Sequence, residues 1–318
     1  MRTIAIVQAR MGSQRLPGKA LLDLCGKPIL QHVVERLRQA HTLDDIVVAI
    51  PNLKKDDALA EFCDKLGYLL FRGSEADVLS RYWEAANFFK ADIVVRITAD
   101  CPLIDSEVVD AIIDRHRRSD GNDYTSNVIV RTFPRGMDTE VVSRNCLHRL
   151  HREARDHLYR EHVTNFVHDH PNTFRRENVV RARGDRSDLR LCVDTQDDLE
   201  VVEAVVHALE KESTRPNIHW GVEDVIIFLD QHPEIARRNA HVQHVGDPKP
   251  EGGQEHRWIG AHDERAGEEV RERVTLVRVT FGYANAVSSP EAWLRAIDRV
   301  GPDLITDVYR LREEHDLH

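Results

Sequence analysis

Short apolar runs alternate with longer amphipathic segments from the first residues onward, and this alternation constrains the fold more than any other feature of the chain. "TIAIV" is followed by helix-like "PILQHVVERLRQA", and "DIVVAIP" by "DDALAEFCDKLG". The same order recurs in "YLLF" with "DVLSRYWEAANFF", and in "DIVVRIT" with "SEVVDAIIDRH". A period of about 2 that repeatedly gives way to one of about 3.6 builds βαβ units. The expected fold is α/β, a mostly parallel doubly wound sheet with helices on both faces. Such sheets bind ligands beyond the carboxyl ends of their strands. Two loops fall there: "QARMGSQRLPGKAL" after the first strand and "ADCPLID" after the fourth.

After "VHDHP" the pattern changes. "TFRRENVVRA" and "DLRLCVDT" read as strands, "REHVTNFVHDH" as an amphipathic helix, and "TQDDLEVVEAVVHALEK" as a helix capped by Thr195 with a first turn that suits the helix dipole. Residues 246–273 are polar and rich in Gly, Pro and charge, which marks a linker. The expected organisation is a main domain over 1–245, a flexible linker over 246–273 and a small α/β extension over 274–318. One strand and two helices bury too little to fold alone, so the extension is expected to pack on the main domain or on a second subunit.

Composition narrows the function. A chain of 318 residues with 41% hydrophobic residues can bury one large core, but a net charge of -10 argues against a general nucleic-acid binder. Gln8 and Arg10 interrupt the N-terminal apolar run, and no run approaches the roughly 20 residues of a membrane span. A soluble, cytoplasmic protein without nucleic-acid or membrane partners is expected. Cys25, Cys63, Cys101, Cys146 and Cys192 are scattered without a CxxC pair, so buried reduced thiols are expected rather than a zinc site or disulfide framework. His148, His151, His168 and His170 lack partners at ligand spacing and read as a helix face.

The first loop nearly spells a phosphate-binding P-loop, but five residues separate Gly12 from Gly18-Lys19 and Ala20 stands where Ser or Thr would be needed. Arg10, Arg15 and Lys19 can still converge on a polyphosphate, since guanidinium forks bind phosphate oxygens in pairs and lysine adds a point charge. Gly12 and Gly18 permit close backbone approach, and Pro17 stiffens the turn. Asp100 and Asp194 each follow an apolar run. Either one alone reads as a cap or turn former. Two carboxylates at two strand ends, with a cationic glycine loop at a third, make the set that magnesium-dependent nucleotidyl transfer needs.

Six segments together resemble a known family: "QARMGSQRLPGKALLDLCGKPILQHVVERL", "FRGSEADVLSRY", "VVRITADCPLID", "PRGMDTEVVS", "YREHVTNFV" and "LCVDTQDDL". In that order, over roughly residues 2–240, they are similar to the acylneuraminate-type cytidylyltransferases, which include the CMP-sialic acid and CMP-3-deoxy-manno-octulosonate synthetases. The likeness is greatest to the spore coat polysaccharide biosynthesis protein F branch. The resemblance implies a nucleotide-diphospho-sugar transferase-like, Rossmann-like fold and a CTP-dependent enzyme that transfers CMP to an anionic acceptor and releases pyrophosphate. It implies Mg2+ on Asp100 and Asp194, with Arg10 and Lys19 as the main phosphate contacts and Gln8, Ala9, Gly12, Ser13 and Arg15 lining the CTP site. Gly73 and Asp77 would border the cytidine pocket, although Asp77 equally suits the N-cap of the helix it begins.

Arg135, Asp138, Glu140, Arg160, Glu161 and His162 would face the acceptor, either an acidic sugar or a phosphonate or phosphate such as phosphonoformate. His162 equally suits a core hydrogen bond. A homodimer joined through the region from Glu140 to His170 is expected of the family. Two other readings stay open: a glycosyltransferase of the same architecture, which would need an Asp-x-Asp pair where "TADCP" offers one aspartate, and a non-catalytic nucleotide-sensing module.

Overall fold

The computed structural model describes residues 1–212, 220–243 and 275–279. The expected linker, and all of the expected extension except its strand, lie outside these residues. The chain opens with β1 (Thr3–Gln8), a small hairpin of β2 (Asp23–Leu24) and β3 (Lys27–Pro28), and α1 (Ile29–Leu37). It continues with β4 (Asp45–Pro51), α2 (Asp57–Lys65), β5 (Leu69–Gly73), α3 (Val78–Phe88), β6 (Ile93–Thr98) and α4 (Ser106–Arg118). All four strand–helix repeats expected from periodicity are present.

The second half inserts β7 (Tyr124–Ser126) and β8 (Glu140–Ser143), then α5 (Arg144–Glu153), α6 (His157–Glu161), α7 (Asn165–Asp169) and β9 (Arg176–Arg181). The helices α8 (Gln196–Glu212), α9 (Val222–Gln231) and α10 (Pro233–Ala236) follow, and the strand expected in the extension is β10 (Thr275–Val279). One sheet holds the main strands in the order β10-β9-β7-β8-β6-β1-β4-β5. Every pairing is parallel except those of β8 with β6 and β7.

β1 lies between β4 and β6, and Thr3 to Val7 are fully buried, as expected of a parallel strand covered on both faces. Ile4 and Ile6 join Leu79, Tyr82, Val94, Val142, Leu147 and Leu150 in one core cluster beneath α3 and α5. By the two-residue period of a strand, Ala5 and Val7 then face the other layer. Tyr82 satisfies its buried hydroxyl by donating to the carbonyls of Ile6 (3.1 Å) and Ile97 (3.3 Å), which fixes α3 over β1 and β6.

Two local expectations are corrected. Residues 188–195 form no strand but an extended segment with a single parallel bridge, Arg135 to Arg190. Its backbone partners are Arg135 (Leu191 N to Arg135 O, 2.7 Å) and Asp100 (Val193 N to Asp100 O, 2.8 Å). Both partners sit in turns, so no ladder can propagate.

"REHVTNFVHDH" is likewise not one helix. It breaks into α6 and α7 at Val163, whose φ of 46° is left-handed. That conformation costs a β-branched residue roughly 1–2 kcal/mol, and no periodicity announces it.

Gly136 has φ of 103°, and a Cβ there would stand 2.7 Å from the Leu191 carbonyl carbon and 2.9 Å from the Cys192 nitrogen. Gly136→Ala therefore forces apart the segment that leads to Asp194. A loss of about 2 kcal/mol or more is expected in urea unfolding. An unchanged midpoint would contradict this packing.

Candidate active site

The site is assembled at the carboxyl ends of β1 and β6. After β1 the chain turns through a loop pinned by Asp56, a fully buried carboxylate that accepts the Met11 amide at 2.7 Å. Gly18 closes the loop by donating its amide to the Met11 carbonyl at 3.1 Å, in a left-handed conformation (φ 70°) that favours glycine. Lys19 follows at the head of a single 3-10 turn, Lys19–Leu21.

The Lys19 Nζ lies 2.7 Å from Asp100 Oδ2, 2.7 Å from Asp194 Oδ1 and 3.0 Å from the Val193 carbonyl. Asp194 Oδ2 accepts in turn from Arg190 at 2.6 Å and lies 2.9 Å from Arg15 Nη2. Arg190 also donates to Asp198 at 2.8 Å. Asp198 accepts the amides of Asp194 and Thr195, each at 3.0 Å, and Thr195 Oγ1 caps α8 by accepting the Asp198 amide at 3.3 Å. Lys19, Arg15 and Arg190 thus balance Asp100, Asp194 and Asp198.

Electrostatics follow from this packing. Burial opposes the charge on Lys19, but the two carboxylates outweigh it and raise the ammonium above its ordinary value. Burial likewise works against ionised Asp100, yet the Lys19 ammonium holds it well below the usual carboxylate range. Asp194 feels burial and the Asp100 charge pushing it up, while Lys19 and Arg15 pull it down further. The net shift of Asp194 is also downward, so both aspartates are ionised at neutral pH.

The other residues expected on the nucleotide side are placed as follows. Arg10 is exposed and has no hydrogen-bond or ion-pair partner among the described residues. Gln8 Oε1 is buried without a partner among the described residues, while the Ala9 amide is committed to the Ala49 carbonyl at 3.2 Å. A Cβ on Gly12 would stand 3.0 Å from Lys55 Nζ, and Ser13 Oγ accepts the Leu16 amide at 3.4 Å. Gly73 ends β5 hard against Arg81, whose Cγ lies 3.0 Å from where a Cβ would be. Asp77 is the N-cap of α3, accepting the Ser80 amide at 2.8 Å, and it pairs with Arg160 at 2.6 Å.

The residues expected on the acceptor side divide. Arg160 spends its guanidinium on Asp77, on Ser80 Oγ and on the His151 carbonyl. Asp138 forms a bidentate pair with Arg131 at 2.5 and 2.8 Å. Glu140 is buried beneath Arg96 and the Tyr124 hydroxyl, which donates at 2.6 Å. Burial opposes its charge, yet Arg96 keeps it far below the usual range. These three are thus engaged in internal pairs. Arg135 is held by its backbone to Leu189 and Leu191, and half-buried Glu161 and His162 close α6, with burial lowering the His162 pKa. Of the other histidines, His151 stacks on Trp83 at 4.3 Å and His170 on Phe166 at 3.9 Å.

Sequence reasoning missed Arg190, Asp198, Arg96 and Asp56. Only Asp198 carried a local signal, the Thr195-x-x-Asp198 spacing of a reciprocal helix cap.

Comparisons with known proteins agree with this architecture. A family profile described as Cytidylyltransferase matches residues 4–220. The spore coat polysaccharide biosynthesis protein SpsF of Bacillus subtilis is 35% identical over 237 residues, which span 73% of this chain and 95% of that protein. A 3-deoxy-manno-octulosonate cytidylyltransferase of Syntrophobacter fumaroxidans is 39% identical over 124 residues, 36% of this chain and 49% of that one. Among solved structures, a cytidylyltransferase from Leptospira borgpetersenii superposes with a TM-score of 0.71 at 33% identity, covering 77% of this chain and all of its own.

Two outcomes follow from the charge arrangement. Because the aspartates' folded pKa values lie below the ordinary carboxylate value of about 4, their stabilisation is present above that pH and lost as pH falls through the folded values. Lys19→Met leaves two repelling carboxylates, one of which keeps its proton to higher pH. The stability gap between wild type and variant, read from urea midpoints, should widen from about pH 3 to about pH 6; a pH-independent gap would contradict the arrangement. Glu140→Gln strands a buried guanidinium and should cost about 3 kcal/mol in the same assay. A loss below about 0.5 kcal/mol would argue that Glu140 is not a structural partner of Arg96.

Proposed function

The chain belongs to the cytidylyltransferase family, and from that premise we propose that its site transfers CMP from CTP to a hydroxyl of an acidic sugar with release of pyrophosphate. One observation carries the reading: a lysine from a glycine loop shared at 2.7 Å by two ionised aspartates at the carboxyl edge of a parallel sheet. The acceptor oxygen attacks the α-phosphorus, and the bond to the oxygen bridging the α- and β-phosphorus breaks. Negative charge grows on the departing pyrophosphate. Arg10, Arg15 and Lys19 would neutralise it, as paired guanidinium donors and a point charge.

Asp100 and Asp194 already share one cation, so their oxygens fit a hard divalent ion such as Mg2+, which takes one or two carboxylates together with substrate phosphates. When bound, that ion would supply Lewis-acid neutralisation of the phosphates. Gln8, Ala9, Gly12, Ser13 and Gly73 would line the nucleotide side. The acceptor hydroxyl must lose a proton as the new bond forms, and this proton passes to Asp194 or to solvent water. With its pKa held down, Asp194 is a weak base, so positioning and charge neutralisation carry most of the rate. Glu161 and His162 are acceptor-facing candidates, and Asp77, Asp138, Glu140 and Arg160 hold the surrounding segments by their ion pairs.

The names of the relatives support a sugar acid as acceptor. The test is magnesium-dependent pyrophosphate release, with four nucleoside triphosphates crossed against acidic sugars, sugar phosphates and small phosphonates. Release is expected with CTP and an acidic sugar. Release with a phosphonate alone would move the acceptor class, and tight CTP binding without release across the panel would favour a sensing module. Asp100→Asn should lower turnover by about a thousandfold or more with the fold intact.

A further inference from the structure

We infer that the Lys19 ammonium is a built-in counterion which a divalent cation must displace, so that metal enters the site with the nucleotide and not before it. The inference rests on the function proposed above. Its basis is the occupancy of every carboxylate oxygen of the pair. Asp100 Oδ2 and Asp194 Oδ1 each take Lys19 at 2.7 Å, Asp100 Oδ1 takes the Thr98 hydroxyl, and Asp194 Oδ2 takes Arg190 and Arg15. The Val193 carbonyl at 3.0 Å accepts the third ammonium proton, so Lys19 is satisfied as well. A metal shared by Asp100 and Asp194 needs the place this ammonium holds.

The surroundings make the exchange selective. The Lys19, Asp100 and Asp194 side chains are only 16%, 23% and 12% exposed, so attraction within the cluster is weakly screened and an incoming ion must compete with it. Arg190 is clamped by Asp198, and Asn239 binds both the Arg190 carbonyl (3.0 Å) and Asp198 (2.9 Å), so this cation stays in place. Lys19 hangs on a flexible four-carbon stem, and Arg15 is 34% exposed; these two can turn away. Triphosphate oxygens offer both cations new partners. Once Lys19 leaves, the aspartates lose their counterion and bind metal. The two ligands are therefore positively coupled, and each tightens the other by the same factor.

The test measures binding rather than turnover, on the full chain without acceptor. Calorimetric titration with Mn2+ and no nucleotide compares wild type with Lys19→Met. The variant is expected to bind Mn2+ at least about tenfold more tightly, since the competing ammonium is gone. Thermal unfolding of wild type supplies a second readout that does not depend on the variant's folding: Mn2+ alone should leave Tm unmoved, and Mn2+ with CTP should raise it beyond CTP alone. Equal Mn2+ affinity in both proteins, or a wild-type Tm raised as much by Mn2+ alone as with CTP, overturns the exchange while leaving the proposed function standing. Mn2+ that binds neither the variant nor CTP-loaded wild type overturns both.

Discussion

Two aspartates are held within reach of one ammonium, and the rest of the site is arranged around that contact. At an effective dielectric near 20, unit charges about 4 Å apart interact with about 4 kcal/mol, so the two carboxylates would repel strongly without a cation between them. Lys19 supplies it, and the fold supplies Lys19. β1 and β6 run side by side, so the glycine loop and Asp100 leave the sheet together. Asp194 comes from a segment nearly a hundred residues later, tied to Asp100 by the Val193 amide. The irregularity of residues 188–195 is part of this design: a regular strand would have matched a ladder, whereas the extended segment follows two turns.

Arginine ion pairs fix the segments around the site. Arg96 with Glu140, Arg131 with Asp138, Arg160 with Asp77 and Arg181 with Glu223 tie strands, turns and helix ends together by charge. Guanidinium suits this use because its planar fork meets a carboxylate in two places. Buried pairs add little net stability against apolar replacements, yet losing one partner is costly. They favour one geometry over others, which is what a site for a charged nucleotide requires.

The strand–helix repeats of the first 118 residues were legible because buried parallel strands and amphipathic helices carry different periods. Lys19, Asp100 and Asp194 were legible in part, since each follows an apolar run or glycine loop and the motifs together resemble a family. Arg190 was not, because its partnership with Asp194 and Asp198 depends on an extended backbone whose register no local rule supplies. Arg160 with Asp77 escaped for another reason: the partners lie 83 residues apart, and each has a plausible local role. The break at Val163 escaped because nothing in the composition marks a left-handed valine. Periodicity reports burial, whereas the site is made of long-range pairings.

The central claim is that the Lys19–Asp100–Asp194 cluster positions CTP for attack at its α-phosphorus. Radiolabel transfer tests it most directly, by incubating the protein and an acidic sugar with magnesium and CTP labelled at either the α- or the γ-phosphorus. The account predicts α-label in the sugar product and γ-label in pyrophosphate. γ-Label in the sugar, or α-label retained wholly in CTP, would contradict it.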